Sequence, residues 1–120
     1  MRIEIRGRNV AVDEELEKRV DKRFAKVARQ VSPLAVLEVE LSEERNPSIR
    51  ESQIAAGTLY LKGVTLRAHE ASDSMVHSIN LVAEDLARQV KRHRVKRRKR
   101  REAAKSQPSA APSEPRPAAP

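Results

Sequence analysis

The sequence predicts an α+β fold: a β-α-β-β-β-α two-layer sandwich in which a four-stranded mixed sheet carries two helices on one face. Three observations predict it. Short stretches such as Arg2-Ile3-Glu4-Ile5-Arg6 and Val36-Leu37-Glu38-Val39-Glu40-Leu41 alternate polar and apolar residues, the period of a half-buried strand. Two longer stretches repeat apolar residues every three or four positions, the period of a helix with one face to bury. Finally, 120 residues amount to one small domain, with enough apolar residues, 38%, for a single core.

The elements follow in order. After the first strand, Gly7 and Asn9 give a turn signal. Asp13 is placed to cap a helix, Glu14, Glu15 and Glu17 suit its positive end, and Leu16, Val20, Phe24, Val27 and Val31 form its seam. Its outer face collects Lys18, Lys22, Lys26 and Arg29 as a basic stripe, a pattern that an ordinary solvated face also produces. Pro33 stops this helix, because it has no amide donor and restricts the residue before it. The second strand covers Val36–Leu41, with Leu37, Val39 and Leu41 inward. Glu43 to Arg50, containing Asn46-Pro47-Ser48, reads as a loop. Strands from about Ser52 to Leu61 and from Val64 to His69 flank Lys62-Gly63 as a hairpin. Ala71-Ser72-Asp73 then leads into a second helix with the seam Met75, Ile79, Val82, Leu86 and Val90.

A right-handed β-α-β crossover puts the first helix on one sheet face with its two strands parallel. The second helix joins it there, so the outer stripes of both helices are expected to form one surface.

Charge is distributed unevenly. The stretch from Arg88 to Arg101 holds ten of the 25 basic residues and none of the 17 acidic ones, so the rest of the chain balances 15 against 17. The net +8 therefore resides in this one segment, which calls for a polyanionic partner. A solvated, disordered tail is the bland alternative. Helical spacing argues against it, because the run continues the second seam, which stops at Val90 where His93 and Arg97 take the next places. The negative end of a helix favours two or three cations in its last turns, not ten. The run is expected to leave the core and project into solvent.

Composition excludes several classes. With no cysteine there is neither a disulfide framework nor a thiolate metal site, and the longest apolar runs are too short for a signal peptide or a membrane span. A cytoplasmic protein is expected. Phe24 and Tyr60 are the only aromatic residues, so stacking on single-stranded bases is excluded and phosphate contacts must dominate. His69, His77 and His93 fall on a strand and on different faces of a helix. No spacing suggests a metal cage or a nucleophile with its base, so neither an enzyme nor a cofactor, metal or small-molecule substrate is expected. A membrane partner is not expected either, since bulky apolar residues are missing beside the cations. From Glu102 onward the composition turns to Ala, Ser and Pro, which cannot build a core. The domain is placed at 1–101 and a disordered tail at 102–120.

The second helix carries Met75, Ile79, Leu86-Ala87-Arg88-Gln89 and the basic-His-basic triplet Arg92-His93-Arg94. With Ile5-Arg6-Gly7-Arg8-Asn9-Val10 and Phe24-Ala25-Lys26-Val27, these motifs resemble the ribosome hibernation-promoting and ribosome-associated translation inhibitor family over residues 1 to about 98. Ser74-Met75-Val76, Asn80 and Asp85 depart from the family pattern, all in the first half of that helix. The resemblance implies the same β-α-β-β-β-α domain. It also implies binding in the messenger and transfer-RNA channel of the small ribosomal subunit, with inhibition of translation and preservation of idle ribosomes. Its partners are then the small subunit and its rRNA, and the chain is expected to be monomeric off the ribosome. Because only the Pro/Ala/Ser tail follows the first domain, pairing of ribosomes through a second domain is not expected.

The rRNA-binding residues implied are Arg88, Lys91, Arg92, His93, Arg94, Lys96 and Arg97, with Arg23 and Lys26 matching basic family positions on the first helix. Lys22 and Arg29 are added from the stripe alone. A general double-stranded-RNA-binding or ribosome-assembly protein would use the same cations, and it is the helix motif that favours the inhibitor.

Overall fold

The computed structural model of the chain describes residues 1–46 and 48–106. Its elements are β1 (Arg2–Arg8), α1 (Glu14–Arg23), α2 (Ala25–Ala28), β2 (Val36–Glu43), β3 (Gln53–Leu61), β4 (Val64–Ser72) and α3 (Met75–Ser106). Two compact units divide the chain between Val90 and Lys91.

In the first unit the sheet order is β1-β2-β3-β4, with β1 parallel to β2 and the other pairs antiparallel. This is the mixed sheet that the alternating stretches predict. Leu37, Val39, Leu41, Ala55 and Leu59 share one face and are buried. Ile3 and Ile5 of the edge strand β1 pack against the same cluster. Val20, Phe24 and Val27 from the first helical region and Ile79, Val82, Leu86 and Val90 from α3 complete it, so both helical layers cover one sheet face. Burying side chains of this size contributes about 1.5–3 kcal/mol each, and that term drives the assembly.

Local chemistry fixes the element ends. Asp13 is extended, and its Oδ1 accepts the Leu16 amide at 2.8 Å, capping α1 as its position suggests. Asn9 takes the left-handed region at φ 62° in the turn after β1, and Gly63 does so at φ 83° between β3 and β4. Both belong to the residue types that tolerate this region. Gly57 answers a different demand: a Cβ there would lie 2.9 Å from Val82 Cγ1 and 3.0 Å from Leu86 Cδ1. Its missing side chain lets α3 approach β3 closely.

Two expectations need correction. The first helix is not one element to Val31. Phe24 departs from helical geometry at φ −92°, ψ 4°, α2 ends at Ala28, and Val31 lies beyond it, half-buried. The hydrogen bonds Phe24 N to Val20 O and Ala28 N to Phe24 O persist at 3.0 and 2.9 Å, so the chain continues its turns through the break. The largest fully buried side chain sits there, and tertiary burial of Phe24 outweighs regular helix geometry. Second, residues 102–106, expected to begin the tail, are the last turns of α3. Glu102-Ala103-Ala104-Lys105 are strong helix formers, and no proline follows Pro47 until Pro108. The expected disorder of residues 107–120 lies outside the described residues.

Candidate nucleic-acid interface

Four of the expected site residues belong to the first helical region. Lys22 and Arg23 form the last turn of α1, Lys26 lies in α2 and Arg29 caps it, and all four are exposed. Lys18 of the same stripe reaches Glu14 Oε1 at 3.6 Å, whereas among the described residues none of the four has a carboxylate partner. Arg88 of α3 is exposed and lies 3.9 Å from Asp85 Oδ1, a distance and exposure at which an ion pair contributes little. Its guanidinium is available to another anion.

The remaining candidates belong to the second unit. Lys91, Arg92, Arg94, Lys96 and Arg97 are exposed, and His93 is half-buried. Lys91, Arg94 and Arg97 line one concavity with Arg98, Arg101 and Val95. Lys91, Arg94, Arg98 and Arg101 follow one another at three, four and three positions, so they share a helix face. Arg98 and Arg101 lie outside the expected site residues, although the same spacing points to them. Arg92 and Lys96, four apart, are not part of that lining.

The arrangement suits phosphate. Guanidinium and ammonium groups offer only donors and hold their charge at neutral pH, and Arg adds a fork that matches phosphate oxygens. After Val90 the run to Arg101 contains only cations, His93 and Val95; Arg and Lys can reach a guanine edge, but their density along the run matches the repeating phosphates of a backbone. Among the described residues no group of three or more His, Asp and Glu side chains could hold a metal ion, and no helix is long and apolar enough to cross a membrane.

Comparison with known proteins agrees with the fold. A ribosome hibernation promotion factor of Picosynechococcus sp. is 32% identical over 97 residues, covering 80% of this chain and 50% of that protein. One from Staphylococcus aureus is 30% identical over 98 residues, with the same two coverages. A ribosome hibernation promoting factor of Acinetobacter guillouiae is 26% identical over 99 residues, 78% of this chain and 88% of its own. The chain thus spans half the length of the first two relatives. The N-terminal domain of Thermus thermophilus Protein Y superimposes with a TM-score of 0.66 at 24% identity, over 78% of this chain and 99% of that one. A ribosomal subunit interface protein from Coxiella burnetii gives 0.64 at 18% identity, over 79% and 99%, and these two likenesses establish the sandwich fold. The profile of the Sigma 54 modulation protein / S30EA ribosomal protein family matches residues 3–98, from the first strand through the Arg92-His93-Arg94 triplet, and the chain belongs to that family.

Proposed function

We propose that the chain binds the small ribosomal subunit in its messenger and transfer-RNA channel, inhibits translation there and preserves idle ribosomes in the cytoplasm. Relatives that cover most of its domain carry hibernation names, which supports the class of function. The observation that carries the mode of binding is the run of exposed cations on α3, without carboxylate partners among the described residues from Lys91 to Arg101. Presentation on a helix matters, because ordering the backbone of a disordered cationic segment on contact would cost conformational entropy. Residues 1–101 carry this function, with rRNA phosphates contacted by the α3 cations and by Lys22, Arg23, Lys26 and Arg29. The protein acts as an inhibitor by occupancy rather than as an enzyme, and it is monomeric off the ribosome.

Co-sedimentation with isolated small subunits, with transfer RNA as competitor, tests this reading. Direct binding that transfer RNA displaces is expected. With about six phosphates neutralised, affinity should fall about a thousandfold between about 50 and 200 mM salt, taking duplex DNA as the guide. Binding indifferent to transfer RNA would contradict the channel, and binding indifferent to salt would contradict phosphate recognition.

A further inference from the structure

The second unit shows more cationic surface than one phosphate backbone can use. Lys91, Arg94, Arg98 and Arg101 form one stripe. Arg92, Lys96 and Lys99, spaced four and three, form another about 150° round the helix axis, at about 100° per residue; Arg97, in the same concavity as the first stripe, and Arg100 fall between them, so cations cover most of the helix circumference. All seven stripe residues are exposed, and among the described residues none has a carboxylate partner. Like charges three or four apart on a helix repel, and an anion along each stripe relieves that repulsion.

Dimensions decide whether one anion could serve both. A helix with its side chains is about 10–12 Å across, and the run from Lys91 to Arg101 extends about 15 Å. At physiological salt the Debye length is about 8 Å, so a phosphate track along one stripe is screened from the far one. The far stripe is left free for a second track. A membrane offers only one plane, and Val95 is the sole apolar residue between Lys91 and Arg101, which leaves nothing to insert into lipid. Two RNA backbones, one on each side, match both the charge and the lack of apolar anchors.

We propose that the Lys91–Arg101 segment bridges two RNA backbones, one along each stripe, so that the protein tethers RNA segments as well as occupying one. This activity rests on the reading that the segment binds RNA phosphates. The test uses the full chain without ribosomes: one RNA duplex is immobilised, a second carries a fluorophore, and protein is kept below the duplex concentration. The first variant combines Lys91→Gln, Arg94→Gln and Arg98→Gln. The second combines Arg92→Gln, Lys96→Gln and Lys99→Gln. A third also removes three charges, two from the first stripe and one from the second, through Lys91→Gln, Arg92→Gln and Arg101→Gln.

The wild-type chain should carry the second duplex to the first. Each single-stripe variant should still bind one duplex, more weakly, and lose capture of the second by more than about tenfold, the effect of removing several phosphate contacts at once. The third variant should keep capture at low salt. Bridging is overturned if the wild-type chain holds the first duplex without recruiting the second, if all three variants lose capture equally, or if phosphatidylserine vesicles are captured in place of the second duplex. Failure of the wild-type chain to bind even the immobilised duplex would instead remove the phosphate reading beneath it.

Discussion

Gln89 of α3 donates through Nε2 to the backbone carbonyl of Arg67 in β4 at 2.8 Å. β4 is the last strand of the sheet, so its outer backbone groups have no neighbouring strand, and such an edge is a template for unwanted pairing. The Gln89 amide occupies one of those acceptors and ties the helix to the edge. Its Nε2 also lies 3.3 Å from Asp85 Oδ1, which helps to orient it. Gln89 stands beside Arg88 in the family motif, yet its contact is internal.

Replacing Gln89 with Leu should therefore cost about 0.5–1.5 kcal/mol, the net value of one hydrogen bond. For a domain of this size each kcal/mol lowers the melting temperature by about 4–8 °C. Thermal unfolding followed by circular dichroism reads it, and an unchanged midpoint would show that the edge contact carries no stability.

A second contact of the same kind is buried. The Ser78 Oγ lies 2.6 Å from both the Gln53 carbonyl oxygen and Ser72 Oγ, and Ser72 Oγ lies 2.7 Å from the Ser74 carbonyl oxygen, so the two hydroxyl protons are shared among these three contacts. The chain of hydroxyls joins the start of β3, the end of β4 and the first turn of α3, where Ser78 is fully buried. Ser78→Ala leaves the Gln53 carbonyl without this donor, which costs about 1–3 kcal/mol. Denaturant unfolding measures the loss, and a variant as stable as the parent would mean that water or a rearranged Ser72 replaces the bond.

On the uncovered sheet face the Tyr60 hydroxyl donates to Glu38 Oε1 at 3.0 Å. That hydrogen bond, then partial desolvation and the Glu38 charge, raise the phenol above its ordinary value near 10, while Arg67 and Arg6 oppose the rise. For an acid whose folded pKa is raised, the contribution to stability is complete below the unfolded pKa and is lost as pH climbs through the folded one. Tyr60 is the sole tyrosine, so phenolate absorbance reports it directly. Glu38→Ala should move the midpoint down toward 10, and an unmoved midpoint would contradict the assigned cause.

Much of this fold was legible because burial acts on periodic positions. Leu37, Val39 and Leu41 alternate and are buried, and Ile79, Val82, Leu86 and Val90 keep helical spacing and are buried too. The break at Phe24 was not legible: no Gly or Pro marks it, and it accompanies tertiary packing of a single ring. Ser78 and Gln89 were equally silent, since their partners Gln53 and Arg67 are distant in sequence and polar residues beside a seam look like solvated ones. The cations were legible as a concentration, whereas the grouping of Lys91 and Arg94 with Arg98 and Arg101 required taking the three-four spacing through to the end of the run.

The central claim is that binding depends on where the α3 cations stand and not only on how many there are. Arg88 and Arg92 lie within the family-matched residues 3–98, and Arg100 and Arg101 lie beyond them. Arg88→Glu with Arg92→Glu, and Arg100→Glu with Arg101→Glu, each change the charge by the same −4, and all four side chains are exposed, so both variants should fold. The measurement is the dissociation constant of each variant from isolated small subunits at one fixed salt concentration. The first pair should weaken binding at least about tenfold more than the second, a difference of about 1.4 kcal/mol. Equal losses would show that the run acts as a charged tail and would contradict the positioned-helix account.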